Sequence, residues 1–172
     1  MMDIREHIRA VPDFPKPGIL FQDITPVMEN PAAYKASLKG LRELLAGVEF
    51  DTFAAIESRG FIFGGPLAVE MDRGMVLVRK AGKLPAKTRA VTYSLEYGEA
   101  TLEAHVDSFK PGQKVIIVDD LLATGGTAEA TAKLVTAAGA EVAGFLFLVE
   151  LDFLAGSKKL AGTAPVFSLV HY

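Results

Sequence analysis

Residues 115–127 have the sequence Val-Ile-Ile-Val-Asp-Asp-Leu-Leu-Ala-Thr-Gly-Gly-Thr, and this stretch decides the fold class. Its run of β-branched residues predicts a buried strand, which delivers two adjacent carboxylates, Asp119 and Asp120, at its carboxyl end. A short loop rich in Thr and Gly then opens a helical pattern over residues 127–138, which ends at Gly139. A strand that leads through such a loop into a helix is typical of α/β proteins.

The same alternation continues on both sides of this stretch. Short apolar runs predict further buried strands at residues 53–56, 75–78, 142–149 and 166–170. Apolar residues at helical spacing predict helices at residues 31–45 and 63–71. We therefore predict an α/β fold with a mostly parallel twisted sheet flanked by helices, in a single domain of residues 1–172.

Two segments depart from the alternation. Residues 12–26 carry four prolines and Gly18, so this N-terminal part is expected to be ordered and largely extended or turning. Residues 81–106 predict a β-hairpin, because apolar and polar residues alternate from Val91 to Tyr97 and again after Gly98. The pattern alone leaves open whether this hairpin is a lid over a site or an ordinary edge hairpin.

Composition excludes several classes of function. The formal net charge of −3 argues against broad nucleic-acid binding, which needs a basic face. No window of membrane length is free of charges, and the N-terminus lacks an apolar signal core. The absence of cysteine rules out disulfides and thiolate chemistry and fits a reducing compartment, so we predict a cytoplasmic protein.

The loop that follows Asp120 has the properties of a phosphate site. Gly125 and Gly126 allow a close approach of the backbone, the hydroxyls of Thr124 and Thr127 add donors, and a helix N-terminus favours an anion. The two carboxylates would repel a phosphate unless they face something else. A ribose diol is the natural partner for them, and a nearby Mg²⁺ is a second way to offset their charge. The residues therefore predict a sugar phosphate as ligand.

Residues 115–127 resemble the phosphoribosyl pyrophosphate signature of the type I phosphoribosyltransferase family, and more narrowly its adenine phosphoribosyltransferases. Four further blocks resemble that family in the same order, at residues 13–19, 57–61, 79–85 and 93–98. Together the blocks span nearly the whole chain. The resemblance implies the type I phosphoribosyltransferase fold, with residues 1–30 as a hood that recognises the base and residues 81–106 as a lid.

The resemblance also implies which residues contact the phosphoribosyl pyrophosphate. The 5′-phosphate would be held by Ala123, Thr124, Gly125, Gly126 and Thr127, and the ribose diol by Asp119 and Asp120. The pyrophosphate would meet Ser58, Arg59, Arg79, Lys80 and Lys83, from the same or a neighbouring subunit. It further implies a non-proline cis peptide between Glu57 and Ser58, Mg²⁺ carried by the substrate, and a homodimer. By residue pattern alone, a basic cluster such as 79–83 is more often a solvated loop.

For the base, the resemblance implies that the main chain around Leu20 faces adenine, with Phe21 and Leu151 packed nearby. A carbonyl that accepts the exocyclic amine of adenine would oppose the oxygen of hypoxanthine or guanine. Four phenylalanines, Phe14, Phe21, Phe61 and Phe63, are by residue type more often core than base-stacking groups.

Glu96 on the hairpin, together with Arg59, is the implied catalytic residue. Glu96 would exchange a proton with the purine, although exposed glutamates without a role are common on hairpins. His7, His105 and His171 lack metal-ligand spacing, so no role is predicted for them.

The resulting expectation is an enzyme that makes AMP and pyrophosphate from adenine and phosphoribosyl pyrophosphate. Two alternatives remain open, namely transfer to another purine such as hypoxanthine or xanthine, and a non-catalytic phosphoribosyl pyrophosphate sensor.

Overall fold

The computed structural model describes residues 2–94 and 98–172, and a sheet of seven strands runs through its centre. A separate hairpin of β1 (Arg9–Pro12) and β2 (Leu20–Asp23) precedes this sheet. The sheet itself consists of β3 (Thr52–Ile56), β4 (Gly74–Lys80), β5 (Thr88–Ser94), β6 (Glu99–His105), β7 (Lys114–Leu122), β8 (Glu141–Glu150) and β9 (Val166–His171). Its strands lie in the order β5-β6-β4-β3-β7-β8-β9.

Five neighbouring strands of this sheet, in the order β4-β3-β7-β8-β9, are parallel. The other two strands of the sheet, β5 and β6, form antiparallel pairs, β6 with β4 and β5 with β6. All five residues of β3 are buried, because helices cover both faces of the parallel part. The predicted α/β class, with a mostly parallel sheet, is confirmed.

Helices flank the sheet on both sides. They are α1 (Thr25–Glu29), α2 (Pro31–Leu44), α3 (Gly60–Glu70), α4 (Gly126–Ala137) and α5 (Gly156–Leu160), with short 3-10 helices at Ile4–His7 and Asp152–Leu154. Phe53 and Ala55 point to a core that includes α2 and α3, whereas Ala54 and Ile56 point to a second core that includes α4 and α5. The two-residue period of the strands thus separates the two layers. None of the described helices is long and apolar enough to cross a membrane.

The predicted strands and the predicted helices at 31–45 and 127–138 are confirmed to within a few residues at their ends. Helix α2 begins where Asn30 accepts hydrogen bonds from the backbone N–H groups of Ala32 and Ala33, with Pro31 in its first turn. Helix α3 begins at Gly60, three residues before its predicted start, because Gly60 and the residues after it already pack against β7. The short helices had no periodic signal long enough to predict them.

The N-terminal part is the expected extended and turning segment, and it folds as the hairpin of β1 and β2. At the turn, Asp13 accepts a hydrogen bond from the backbone N–H of Gly18 at 2.7 Å. Arg9 on β1 donates to the carboxylate of Asp23 on β2 at 2.6 Å, and Thr25 also donates to that carboxylate. These contacts fix the hairpin at its open end.

The second predicted hairpin is formed by β5 and β6 at one edge of the sheet, with Thr88 opposite His105. The Tyr93 hydroxyl lies 3.1 Å from the Thr127 hydroxyl, and Arg89 donates to the carbonyl of Ala137, so the hairpin is attached to both ends of α4. The hairpin thereby closes one side of the carboxyl edge of the sheet.

Candidate active site

Asp119 and Asp120 lie near the carboxyl end of β7, which pairs with β3 on one side and β8 on the other. The side chain of Asp120 is 6% exposed and accepts a hydrogen bond from Arg59 Nε at 2.6 Å. Arg59 follows β3, so the order of the sheet brings two motifs together that are 61 residues apart in the chain. Gly60 makes this approach possible, because a Cβ there would lie 2.8 Å from the carbonyl oxygen of Val118.

The two carboxylates have different environments. Burial, followed by the negative charge of Asp120, raises the pKa of the Asp119 carboxyl well above its usual range. The cation of Arg59 contacts Asp120 directly and lowers the pKa of Asp119 only as a weaker influence. This pair of acids can accept hydrogen bonds from a diol.

The loop that joins β7 to α4 surrounds a cavity of about 90 Å³. Its lining includes every residue from the predicted phosphate loop, Ala123, Thr124, Gly125, Gly126 and Thr127. Gly125 adopts a φ of +81°, which side chains other than that of glycine rarely accept, and α4 begins at the next residue. The cavity therefore sits at the N-terminus of a helix of 12 residues, where backbone N–H groups favour an anion.

This loop rests on the backbone of α5. A Cβ at Gly156 would lie only 2.2 Å from the carbonyl oxygen of Ala123, so the chain at Gly156 passes directly beneath the start of the loop. The backbone N–H of Leu151 donates to the carbonyl of Leu122 at 3.0 Å just before it. The sequence predicts no role for Gly156, since nothing local distinguishes it from a surface-turn glycine.

A larger cavity of about 450 Å³ adjoins the loop. It is lined by Glu57, Ser58, Arg59, Lys80, Tyr93, Ala100, Leu102, Asp119, Asp120, Leu121 and Thr127. The structure therefore brings together the predicted diol acids, one end of the phosphate loop, and three of the five residues predicted for pyrophosphate. The Glu57–Ser58 peptide is cis, as the resemblance implied.

The remaining two predicted pyrophosphate residues, Arg79 and Lys83, do not line this cavity. Arg79 Nε donates to the Glu57 carboxylate at 3.0 Å, and Lys83 forms an ion pair with the other oxygen of the same carboxylate. Glu57 was part of a recognised block but had no predicted role. The sequence feature that could have indicated a role for Glu57 is its position one residue before Ser58. Its partners Arg79 and Lys83 could not be identified from the sequence, because they depend on the pairing of β3 with β4.

A third cavity of about 410 Å³ lies under the N-terminal hairpin and is lined by Val11, Phe14, Phe21, Asp23 and Arg59. Arg59 therefore borders both this apolar cavity and the larger one. Of the residues predicted for the base, Phe21 lines the cavity, whereas Leu20 is exposed and Leu151 packs against the core without lining it.

The four phenylalanines divide between core and cavity. Phe63 is fully buried and Phe61 is partly buried against the same core, as expected. The expectation is wrong for Phe14, which is 50% exposed and meets Phe21 edge to face with ring centroids 5.1 Å apart. The N-terminal hairpin lies over a cavity, so the rings of Phe14 and Phe21 line the cavity wall and are not packed into the core. Glu96 lies outside the described residues.

A separate polar cluster lies where β8 and β9 end. Glu150 is buried and accepts a hydrogen bond from the Ser168 hydroxyl at 2.7 Å, while His171 Nδ1 lies 2.9 Å from a carboxylate oxygen of Asp152. One ligand atom from each of Glu150, Asp152 and His171 lies within 4.8 Å of the others. Sequence spacing had indicated no such grouping for His171, because its partners are 19 and 21 positions away in the chain.

Comparisons with known proteins agree with this architecture. Residues 27–167 match the family model of the phosphoribosyl transferase domain. An adenine phosphoribosyltransferase of Kosmotoga olearia is 53% identical over 171 residues, which cover 99% of this chain and 100% of the relative.

Solved structures are similar over the same length. The crystal structure of adenine phosphoribosyltransferase from Thermoanaerobacter pseudethanolicus has a TM-score of 0.95 and 52% identity, covering 98% of each chain. The enzyme from Saccharomyces cerevisiae, crystallised with an imino-altritol bisphosphate and adenine, has a TM-score of 0.90 and 41% identity over 96% of each chain. The family match, the identity over the full length and the shared fold show that this chain belongs to the adenine phosphoribosyltransferase family, of the type I phosphoribosyltransferase fold.

Proposed function

We propose that the protein transfers the 5-phosphoribosyl group from phosphoribosyl pyrophosphate to adenine, giving AMP and pyrophosphate, as a pentosyltransferase of purine salvage. The observation that carries the proposal is the single cavity bordered by Ser58 and Arg59 on one side and by Asp119 and Asp120 on the other. This cavity adjoins the phosphate loop and shares Arg59 with the cavity under the hairpin. The proposed sites for the 5′-phosphate, for the ribose with its pyrophosphate and for the base are therefore adjacent, as a reaction of two substrates requires.

The phosphate loop is proposed to hold the 5′-phosphate through its backbone N–H groups and through the hydroxyls of Thr124 and Thr127. Asp119 and Asp120 accept hydrogen bonds from the ribose diol. Asp120 is held by Arg59 in the present arrangement, so the diol would share its carboxylate with that guanidinium. Burial raises the pKa of Asp119, so hydrogen bonds from the diol and a nearby cation would both favour its ionised form.

The pyrophosphate is proposed to lie against Ser58, Arg59 and Lys80, which border the larger cavity. Arg79 and Lys83 are proposed to act on it through their contacts with Glu57, or from a neighbouring subunit. Guanidinium and ammonium groups attract the negative charge that grows on a departing pyrophosphate, so these contacts strengthen as the bond breaks.

Mg²⁺ is proposed as the ion that accompanies the substrate. The donor set fits it, because Asp119 and Asp120 offer carboxylate oxygens and the substrate offers phosphate and ribose oxygens, all of which suit this hard cation. Arg59 contacts only Asp120 of the pair, which leaves negative charge at Asp119 for a cation to offset. When bound, the ion supplies neutralisation of the charge on the leaving pyrophosphate.

Adenine is proposed to bind beneath the N-terminal hairpin, with Phe21 against the ring and Leu20 and Leu151 nearby. Phe14 belongs to the same apolar wall, since it lines the cavity and contacts Phe21. A main-chain carbonyl at Leu20 that accepts the exocyclic amine would select against a base with oxygen at that position, because two acceptors would face each other.

In the proposed reaction, the bond between C1′ and the pyrophosphate oxygen breaks with its electron pair leaving on pyrophosphate. A purine nitrogen then bonds to C1′ and loses its proton. Glu96, in the segment that the sequence predicts as a lid, is proposed to accept that proton, and Arg59 to stabilise the leaving group. Closure of residues 81–106 over the site would exclude water, and the attachment of Tyr93 to Thr127 supports a hairpin that is coupled to the phosphate loop.

The proposed function is tested by measuring AMP formation from phosphoribosyl pyrophosphate and Mg²⁺ with adenine, hypoxanthine and guanine in parallel. Product with adenine alone is expected. Product with another base would overturn the assignment of the base site. Binding of phosphoribosyl pyrophosphate with no product from any base would point instead to a sensor.

The role of Glu96 is tested with Glu96→Gln against Glu99→Gln, which changes an exposed glutamate of the same hairpin. We expect kcat to fall about 100-fold for the first variant, as is usual when a proton-transfer group is lost. The second variant should keep wild-type turnover. Unchanged turnover in Glu96→Gln would remove the proposed proton transfer.

A homodimer and a cytoplasmic location are further proposals. Val69 on α3 and Leu77 on β4 are exposed apolar side chains on neighbouring elements, which supports burial against a second copy. Sedimentation at micromolar concentration tests the dimer, and a wholly monomeric chain would contradict it. Fractionation of the native cell tests the location.

A further inference from the structure

Glu57 is a buried carboxylate that holds three groups of the basic loop, defined here as residues 79–83. Its side chain is 7% exposed. One carboxylate oxygen accepts hydrogen bonds from Arg79 Nε at 3.0 Å and from the backbone N–H of Lys80 at 3.1 Å, and the other pairs with the ammonium of Lys83. Arg79 also donates to the carbonyl of Lys83 at 3.0 Å, which closes the network.

These contacts keep Glu57 ionised. Burial by itself would disfavour the charge, but the hydrogen bonds from Lys83, the Lys80 N–H and Arg79 outweigh it, and the pKa of Glu57 is lowered. One carboxylate and two cations leave a net positive charge at the end of β4. Because both carboxylate oxygens are engaged, the negative charge of Glu57 is largely neutralised where it borders the cavity.

The arrangement places Glu57 between the basic loop and the larger cavity. Glu57 and Lys80 line this cavity, whereas Arg79 and Lys83 do not. Lys80 reaches the cavity from the last position of β4, and its backbone N–H is bound to Glu57 at the end of the neighbouring strand β3. The carboxylate therefore ties the segment that carries Lys80 to the segment that carries Ser58 and Arg59.

We propose that Glu57 is a positioning residue for pyrophosphate, since it fixes the basic loop against Ser58 and Arg59 and so presents Lys80 to the larger cavity. This inference rests on the proposed function, which puts pyrophosphate in that cavity. A different role would have the opposite consequence. If Glu57 only competed with pyrophosphate for Arg79 and Lys83, its removal would strengthen the binding of anions.

The test compares Glu57→Gln with the wild type by calorimetric titration with pyrophosphate in the presence of Mg²⁺, and separately with AMP. Gln has the same size but cannot hold both cations. We expect the Kd of pyrophosphate to rise about tenfold, as for the loss of hydrogen bonds to a charged group. The Kd of AMP should stay within about twofold, because AMP has no pyrophosphate. In steady state, KM for phosphoribosyl pyrophosphate should rise while KM for adenine does not.

Glu103→Gln is the matched control. Glu103 accepts a hydrogen bond from the backbone N–H of Gly82 in the same basic loop at 3.1 Å, and it does not line the larger cavity. The variant removes the same charge from the same region, and we expect pyrophosphate to bind as in the wild type. If Glu57→Gln fails to fold, Glu57→Asp keeps the charge but shortens its reach, and it should show the same selective loss.

Three results would overturn the positioning role. The first is that Glu57→Gln, or Glu57→Asp where it is used instead, binds pyrophosphate as well as or better than the wild type. The second is that the variant loses pyrophosphate binding and AMP binding equally. The third is that Glu103→Gln loses pyrophosphate binding as much as the Glu57 variant does. A wild-type protein that binds AMP but no pyrophosphate would instead overturn the proposed pyrophosphate site, and the role of Glu57 with it.

Discussion

Gly156→Ala should disable the phosphate loop by steric displacement alone. The new Cβ would lie 2.2 Å from the carbonyl oxygen of Ala123 and 2.9 Å from Leu122 Cδ1, whereas ordinary contacts begin at 3.4 Å. The backbone must therefore move by about 1 Å, since a carbonyl cannot rotate away as a side-chain end can. Gly156 opens α5 and has no positive φ, so alanine itself is compatible with the local conformation.

The magnitude follows from that displacement. Overpacking of this kind costs about 1–3 kcal/mol of folding free energy, which corresponds to about 2–4 °C in Tm for each kcal/mol. A misplacement of about 1 Å in groups that orient a substrate can cost about 100-fold in rate. We therefore expect kcat/KM for phosphoribosyl pyrophosphate to fall about 100-fold, with a much smaller change in KM for adenine.

The assay is the initial rate of AMP formation with phosphoribosyl pyrophosphate varied, accompanied by thermal unfolding. Gly162→Ala is the control, because a Cβ there meets no atom within 4 Å, and it should match the wild type in both measurements. The reasoning would be refuted by a Gly156→Ala protein whose kcat/KM and Tm both lie within error of the wild type.

Three further changes test other contacts. Asp120→Asn should lower kcat/KM for phosphoribosyl pyrophosphate at least tenfold in steady-state kinetics, because it removes a buried charged acceptor. An unchanged kcat/KM would mean that the ribose diol does not contact Asp120. Tyr93→Phe removes the hydroxyl that lies 3.1 Å from the Thr127 hydroxyl and should cost less than about tenfold in the same parameter, so a complete loss of activity would mean that this hydroxyl does more than attach the hairpin. The pKa of His171 is raised above 6.5, chiefly by its hydrogen bond with Asp152, so this contact stabilises the fold below that pH and is lost as the pH rises through the folded pKa. Asp152→Asn should therefore lower Tm more at pH 6 than at pH 9, by a small amount because both side chains are about half exposed, and equal shifts at the two pH values would contradict this.

Much of the fold could be predicted because its signals are local. The apolar runs of β3, β7 and β8 and the glycine that follows α4 are read within one element, without knowledge of the neighbours. The same holds for the phosphate loop, since the strand, the loop and the helix N-terminus are continuous in the chain. The start of α3 and the short helix α5 were not predictable in this way, because packing against β7 and the phosphate loop defines them.

The candidate site was only partly accessible to the same reasoning. Of the five residues that the resemblance implied for pyrophosphate, Ser58, Arg59 and Lys80 border the larger cavity, whereas Arg79 and Lys83 are engaged by Glu57. Residue type cannot distinguish a lysine that faces a cavity from one that pairs behind it. That outcome depends on which strand lies beside which and on the register between them.

The sequence by itself determined the α/β class and the position of the proposed phosphate loop, with the two acids beside it, because hydrophobic period and turn chemistry act over a few residues. Only the tertiary structure decided that Arg59 contacts Asp120, 61 positions away, and that Arg79 contacts Glu57, 22 positions away. Only it decided that Gly156 lies beneath Ala123 and that Phe14 borders a cavity. These contacts join separate elements, and the order of strands β4, β3 and β7 brings them together through the packing of the whole chain.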